Sequence, residues 1–347
     1  MTPSLLVRQP GIHTTVQDRG RIGFQDVGVP VSGPLDVVSL ALANALVGNV
    51  PATPALEMLL QGPTLEVACD SVRVALVGSD AALEIGGANA RRVAPGTSAR
   101  LVRGETLTVA RLGASACACL AVQGGIQVAR CLGSAATYVR GRLGGVEGRA
   151  LRAGDSVPLA LEAVPTRGDK RMAQALDLAL DQVIRVVLGP QADFFTEAAI
   201  ETFLASDYVV STQADRMGFR LDGPALQHAK GYNIVSDGIV AGAIQVPGSG
   251  LPIVLMADAQ TTGGYPKIAT VISADIPVLG RRKPGSRVRF AAVSVAEAEA
   301  LHRSQQADIG RHIAALRDAA APAIVDVAAL HTVNLISGVA SARCEPA

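Results

Sequence analysis

Tryptophan is absent from the 347 residues, and only six Phe and four Tyr are present. A surface that grips nucleic acid by stacking bases on aromatic rings is thereby disfavoured. Neither sign of charge dominates, with 31 Lys+Arg against 30 Asp+Glu and a formal net charge of +1. A basic stripe for phosphate backbones is therefore not expected, and no nucleic acid partner is assigned. No uncharged apolar run approaches the ~20 residues of a membrane-spanning helix, so no membrane partner is expected. The opening stretch, MTPSLLVRQPGIHTTVQDRG, lacks the charged and apolar regions of a secretory signal. Five cysteines (Cys69, Cys117, Cys119, Cys131, Cys344) are an odd number without C-x-x-C spacing. They read as reduced thiols of a cytoplasmic protein. The five histidines form no H-x-H or H-x-x-x-H pair, so no metal site is expected. G-x-S-x-G, G-x-x-x-x-G-K-[ST] and G-x-G-x-x-G are all missing. These absences remove the hydrolase nucleophile elbow, the P-loop and the dinucleotide fingerprint.

Glycine and proline are plentiful, at 36 and 19 residues. With turn residues every 8–12 positions, they predict many short strands arranged as a sandwich or barrel. Strands are expected at Ser4–Arg8, Thr64–Ala68, Val72–Val77, Ala82–Ile85, Thr106–Leu112 and Cys117–Val122. Further strands are expected at Val183–Leu188, Tyr208–Ser211, Ala243–Val246, Pro252–Met256 and Arg287–Val293. Residues Gly11 to Gly33 read as a long loop. Leu35, Val38, Leu42, Ala45 and Leu46 follow helical spacing, with Gly48 and Asn49 as the stop. Ser294 and Glu297 form an S-x-x-E capping box ahead of a second helix striped by Leu301, Ile309, Ile313 and Leu316. Pro322 is expected just past its end. Residues 164–182, with Met172, Leu176 and Leu180, read as a linker or surface helix. The length suggests two domains: residues 1–163, residues 183–293, and then a helix and tail of unknown role at 294–347. The halves echo each other faintly. Thr15-Val-Gln-Asp-Arg19 resembles Thr212-Gln-Ala-Asp-Arg216, and each is followed by Gly-Phe. Chance in a Gly-rich chain and a pair of similar β-rich domains both account for this.

The segment most suggestive of chemistry is Asp258-Ala-Gln-Thr-Thr-Gly-Gly-Tyr-Pro-Lys267, which follows an apolar strand. Gln260, Thr261 and Thr262 offer hydrogen bonds to a small polar ligand. Gly263 and Gly264 let backbone N–H groups approach an anion. Tyr265 flanks them, and Lys267 is a point charge for a carboxylate or phosphate. A solvated hairpin tip is the competing reading. Asp215-Arg216 and Gln17-Asp18-Arg19-Gly20-Arg21 follow as candidates. In each, an arginine forks onto a substrate carboxylate while the aspartate orients it, or the two form a structural ion pair. Gln245 lies on a strand within a Gly-rich stretch. Ser32 and Asp36 begin the first helix, where plain N-capping is the alternative.

Taken together, several strings resemble one family. They are Thr14-Thr-Val-Gln-Asp18, Gly28-Val-Pro-Val-Ser-Gly33, Asn44-x-Leu-Val-Gly-Asn49, Leu56-Glu57 with Gly62-Pro63, Gly124-Gly-Ile126, Leu151-Arg-Ala-Gly-Asp155, Asp215-Arg-Met-Gly-Phe219, Gly242-Ala-Ile-Gln-Val-Pro-Gly248 and Gln260-Thr-Thr-Gly-Gly-Tyr-Pro-Lys-Ile268. Across residues 4–293 the chain resembles the biotin-dependent carboxyltransferase-like family, which includes the C-type subunit of 5-oxoprolinase. It is also similar to part of the carboxyltransferase region of urea carboxylase (urea amidolyase). Pro34 and Arg281 depart from the pattern. The resemblance implies a mainly β fold of two cyclophilin-like β-barrel domains with a few short helices. It implies a subunit that is inactive alone and pairs with the B-type and A-type subunits of 5-oxoprolinase. The complex opens 5-oxo-L-proline, a small amide, to L-glutamate, with ATP entering through the partner subunits. On this reading Lys267, Gln260, Thr261 and Thr262 serve catalysis. Gly263, Gly264, Tyr265, Asp258, Asp215, Arg216, Gln17, Asp18, Arg19 and Gln245 bind substrate. Two alternatives are a carboxyltransferase subunit for a urea-like amide, and a non-catalytic protein antagonising a sensor-kinase inhibitor. The first requires biotin on a separate carrier, since no Met-Lys-Met motif is present.

Overall fold

A computed structural model describes residues 2–178 and 182–319; Leu180, Pro322, His331 and Cys344 lie outside the described residues. The molecule is mainly β, as expected. Between Ser4 and Pro158, eleven strands form two antiparallel sheets. One runs in the order Ser156–Pro158, Ser4–Gln9, Thr64–Val67, Thr106–Val109, Leu83–Gly86, Arg91–Val93. The other runs His13–Gln17, Ala55–Leu59, Cys117–Val122, Ser71–Val77, Ser98–Val102. Because strand side chains alternate between faces, Val16, Leu56, Met58, Leu120, Val74 and Leu76 point one way. They meet Leu5, Val7, Leu65, Val67 and Leu107 of the first sheet in a closed apolar core.

The opposite face of the second sheet carries Thr15, Gln17, Glu57, Cys117 and Cys119, set by the register Thr15↔Glu57 and Cys119↔Glu57. Helix α1 (Val37–Val47) covers part of it, packing Leu42, Leu46 and Val47 against Ala55, Val77 and Cys119. Asp36 caps α1 by accepting from Val38 N and Ser39 N at 3.0 Å. Gly48 closes it in the left-handed region at φ 83°, a conformation glycine adopts without steric cost. Residues from the second half of the chain cover the rest.

That second half forms one eight-stranded sheet. Its order is Arg287–Val288, Tyr208–Ala214, Gly218–Asp222, Ile253–Leu255, Ala243–Gln245, Lys267–Val271, Ile184–Leu188, Phe290–Ala292. The two outermost strands are separated in sequence by Arg289 alone, so the sheet curls almost to closure. The scarce aromatics gather here: Phe203 stacks on Phe290 with ring centroids 4.7 Å apart, and Tyr208 tilts against both. Helix α2 (Glu197–Ala205), N-capped by Thr196, contributes Ala199 and Phe203 to this interior. Helix α3 is the short Ile276–Gly280. Helix α4 (Val295–Ala314) begins at the expected Ser294–Glu297 capping box and rests Ile309 and Ile313 on α1.

Two expectations require correction, and one alternative falls. Residues His13–Gln17 are a strand, not loop, because Thr14 and Val16 face the core. Of the linker and the surface helix expected over residues 164–182, the helix does not form in the described residues 164–178. The buried guanidinium of Arg73 binds Asp169 and the carbonyls of Pro165 and Arg167, and Lys170–Arg171 pairs with Arg317–Asp318. The expected strand Arg287–Val293 is broken at Arg289, since its two pieces join opposite edges of the sheet. Helices α2 and α3 add to the two that the sequence predicts.

Candidate functional site at the junction of the two halves

Where the halves meet, charged side chains are buried with unlike charges opposed. Arg216 leaves the turn after Tyr208–Ala214 and reaches into the first half. Its Nε donates to Asp258 Oδ2 at 2.8 Å, its Nη1 binds Glu57, and its Nη2 donates to Gly33 O at 2.6 Å. Glu57 also accepts from Leu35 N at 2.6 Å. Burial pushes the Glu57 carboxyl up, opposed by the Arg216 charge. Burial alone would lower the Arg216 guanidinium, but Asp258 and Glu57 raise it above its ordinary value. A second crossing pair joins Arg281 Nη1 to Asp36 at 2.7 Å, both buried. Both acids reaching across come from the first half, and both arginines from the second.

The turn that delivers Gly33 to Arg216 is conformationally demanding. Ser32 has φ 57° and Gly33 φ 85°. Its backbone is anchored by Ser32 N to Ala257 O at 3.1 Å, so the loop of residues 18–33 lies against Asp258.

Next to this lock sits a second polar group. Gln17 is fully buried; its Nε2 donates to Thr15 Oγ1 at 3.0 Å and to Thr137 O at 3.2 Å. Arg21 is 1% exposed; its Nη2 binds Ala136 O, and its Nε makes a long 3.5 Å contact with Cys131 O. No carboxylate lies in ion-pairing reach of Arg21 among the described residues, and burial lowers its pKa. Gln17 Oε1, Arg21 Nη1, Ser32 Oγ and His13 Nδ1 are buried without a hydrogen-bond partner among the described residues. Burial, then the Arg216 charge, lowers the His13 pKa.

The structure thus unites Arg216 and Asp258 at the junction, with Gln17 on the same sheet face as their partner Glu57, and separates them from the rest. Asp215 does not pair with Arg216, contrary to expectation. It accepts from Met217 N at 2.8 Å and Gly218 N at 3.2 Å, closing a turn that aims Arg216 away from it. Asp18 does the same for Gly20 N at 2.9 Å, and also accepts from Ser134 Oγ and Ala135 N. Arg19 is exposed. A groove of about 440 Å³, lined by Asp18, Arg19, Gly20, Arg130 and Ala135 among others, opens there.

Beyond Asp258 the chain forms a rim. Thr262–Gly263 pairs with Asp237–Gly238 in a two-stranded ribbon, with Gln260 and Thr262 exposed, Thr261 partly so, and Tyr265 at 40%. Lys267 begins a strand rather than standing free in a loop. Its Nζ donates to Asp237 at 2.6 Å and to Gly238 O at 3.3 Å. The Lys267 hydrogen bond holds the Asp237 carboxyl below its usual range. Of the two glycines, Gly263 is the crowded one. A Cβ there would lie 2.5 Å from Gln245 Nε2 and 2.6 Å from Ile239 Cδ1, against 3.5 Å for the nearest atom at Gly264. Gln245 Nε2 also reaches Tyr265 O at 3.4 Å. Gly263 therefore serves close packing of the ribbon, whereas Gly264 has room for a side chain, and neither has left-handed backbone.

Sequence reasoning misses Asp237 and the Asp36–Arg281 pair as charge partners, and meets Glu57 only within the resemblance. The available signal for Glu57 is one acid in the otherwise apolar Ala-Leu-Glu-Met-Leu strand. Asp237 carries none, because its partner Lys267 is 30 residues away along an irregular stretch. Among the described residues no cluster fit for a metal ion is present, and no helix is long and apolar enough to cross a membrane.

Known proteins share this arrangement of sequence and fold. The chain is 37% identical over 303 residues to the 5-oxoprolinase C-type subunit of Escherichia coli, covering 87% of this chain and 95% of that one. It is 32% identical to urea amidolyase of Saccharomyces cerevisiae, covering 86% of this chain but 17% of that protein. The urea amidolyase crystal structure from K. lactis superposes with a TM-score of 0.80 at 31% identity, over 90% of this chain and 20% of that one. Residues 27–292, which hold Glu57, Arg216, Asp258 and the whole ribbon, match the carboxyltransferase domain, subdomain A and B, and the chain belongs to that family.

Proposed function

We propose that this chain is the C-type subunit of an ATP-dependent 5-oxoprolinase that opens 5-oxo-L-proline to L-glutamate in the cytoplasm. The observation that carries the reading is sequence identity. The chain is 37% identical to the Escherichia coli subunit and 32% identical to the yeast urea amidolyase over a similar share of its own length. Opening an unstrained lactam requires coupling to ATP, and the sequence has no P-loop. Partner chains of the A and B types therefore supply the nucleotide. The junction residues bind the amide. On the rim, Lys267 with Asp237 handles charge next to Gln260, Thr261 and Thr262, while the Arg216 lock fixes the distance between the halves.

The test is ATP-dependent glutamate release from 5-oxo-L-proline by the chain with candidate partners, omitting each in turn. Turnover is expected only with all chains present. Robust turnover by this chain alone contradicts the subunit reading.

The fold match to the K. lactis urea amidolyase favours a second reading, a carboxyltransferase component for a urea-like amide. Biotin would then arrive on a separate carrier. Activity that appears only with a biotinylated carrier selects this reading.

A further inference from the structure

Lys267 and Asp237 are an uneven ion pair. The lysine side chain is 6% exposed and its partner acid 51%. In the two pairs that cross the junction, Arg216–Glu57 and Arg281–Asp36, both members are buried. A strongly hydrated ammonium held inside by an acid that faces water returns little stability, so packing alone does not account for it. Asp237 Oδ2 has a second donor, Gln191 Nε2 at 3.2 Å. The Gln191 carboxamide is oriented from its other end, because its Oε1 accepts from Lys267 N at 3.3 Å. Both donors belong to the eight-stranded sheet. Lys267 opens the strand Lys267–Val271, and Gln191 lies just past the neighbouring strand Ile184–Leu188. There Gly189 N donates to Ile268 O at 2.7 Å and holds the two segments together. Asp237 comes instead from the separate two-stranded ribbon. That ribbon is anchored by Ile239, whose side chain is buried and whose N donates to Thr261 O at 2.9 Å. The half-exposed Asp237 side chain can therefore rotate into water while its backbone stays in place.

We propose that Gln191 Nε2 and Lys267 Nζ form a receptor for a ligand carboxylate, and that Asp237 is the internal carboxylate which the ligand displaces. One oxygen of the incoming group accepts from both donors, as Asp237 Oδ2 does, while Gly238 O keeps its 3.3 Å contact with Nζ. The exposure of Asp237 makes that position reachable from water. A planar carboxylate matches the group it replaces in shape and charge, whereas a neutral amide leaves the ammonium without a counter-charge. Asp237 thereby sets a threshold, since it pairs the ammonium until a ligand outcompetes it. This assignment deepens the 5-oxoprolinase reading and rests on it only for which carboxylate is bound.

The experiment is calorimetric titration of the purified chain with 5-oxo-L-proline, its neutral analogue 5-oxo-L-prolinamide, glutarate and inorganic phosphate. Thermal melts report whether each variant folds. We expect the wild type to bind at least one of the two carboxylates and not the neutral analogue. Gln191→Met and Lys267→Met each remove one donor and keep most of the side-chain bulk. Each should weaken that carboxylate at least ~10-fold, the order of a lost hydrogen bond to a charged group. Asp237→Asn should act in the opposite direction and tighten it at least ~10-fold, because apparent affinity scales with the fraction of receptor that is open. A purely structural ion pair gives no such reversal of sign. Binding of neither carboxylate, equal binding of the neutral analogue, tighter binding of phosphate than of either carboxylate, or an Asp237→Asn affinity at or below that of the wild type overturns the proposal. Should Lys267→Met fail to fold, Gln191→Met decides. If the assembled complex turns over 5-oxo-L-proline while Gln191→Met and Asp237→Asn keep wild-type KM, the receptor is wrong and the 5-oxoprolinase reading stands. If glutarate shows the full pattern and 5-oxo-L-proline does not bind, the receptor stands and that reading falls.

Discussion

Arg216 and Arg21 are both buried near the junction, and their surroundings are opposite. Arg216 meets two carboxylates and a carbonyl, contributed from both halves of the chain. Arg21 meets backbone carbonyls only, and one of its donors has no partner. The electrostatic consequences follow, since the Arg216 charge is reinforced and that of Arg21 is disfavoured by burial. A guanidinium completed from within is a structural lock. One left incomplete carries the cost of a buried donor without an acceptor among the described residues. Residue type and burial do not separate the two; the partner inventory does.

The largest effect should come from breaking the lock. Arg216→Met strands Glu57 and Asp258 as buried carboxylates, so a loss of about 3–5 kcal/mol is expected. Urea unfolding measures it, and a loss below ~1 kcal/mol would show that the pair is not buried as described. Asp36→Asn keeps the cap of α1 but removes the carboxylate from Arg281, which is bound at 2.7 Å. A smaller loss, roughly 2–3 kcal/mol, is expected because one buried charge is stranded instead of two. Gly263→Ala drives a methyl into Gln245 and Ile239, for a cost of about 1–3 kcal/mol. Gly264→Ala should cost clearly less in the same melts; the reverse order would contradict the ribbon packing. The smallest stability effect belongs to Lys267→Met. The Asp237 partner is half exposed, so stability should change by about 1 kcal/mol or less after solvent screening. Turnover of the assembled complex should nonetheless fall at least ~10-fold in kcat/KM if the rim handles charge in the reaction. Near-wild-type turnover with lost partner binding would make the ribbon an interface element.

Much of this was legible in the sequence. Helix α1 and the start of α4 were readable because their signals are local: Asp36 to Gly48 for one, Ser294 with Glu297 for the other. The strand Cys117–Val122 was readable as a continuous apolar run. His13–Gln17 was not, since a strand with one polar face at a domain junction looks like loop chemistry until its partner Ala55–Leu59 is known. The Asp-Arg strings at 18–19 and 215–216 echo each other in sequence, and each aspartate accepts from the backbone N–H two residues on. Yet the pairing of Arg216 could not be read locally. Glu57 lies 159 positions away and Asp258 lies 42 away, and no helical or strand period links them. The incompleteness of Arg21 was likewise invisible, because a missing partner is a property of the packed molecule.

The contrast between the two arginines is tested most directly by comparing the melting temperatures of Arg216→Met and Arg21→Met with that of the wild type. The account predicts a clearly lower midpoint for Arg216→Met, which strands two buried carboxylates, and a midpoint near or above that of the wild type for Arg21→Met, which strands none. An Arg21→Met midpoint depressed as far as that of Arg216→Met would contradict it.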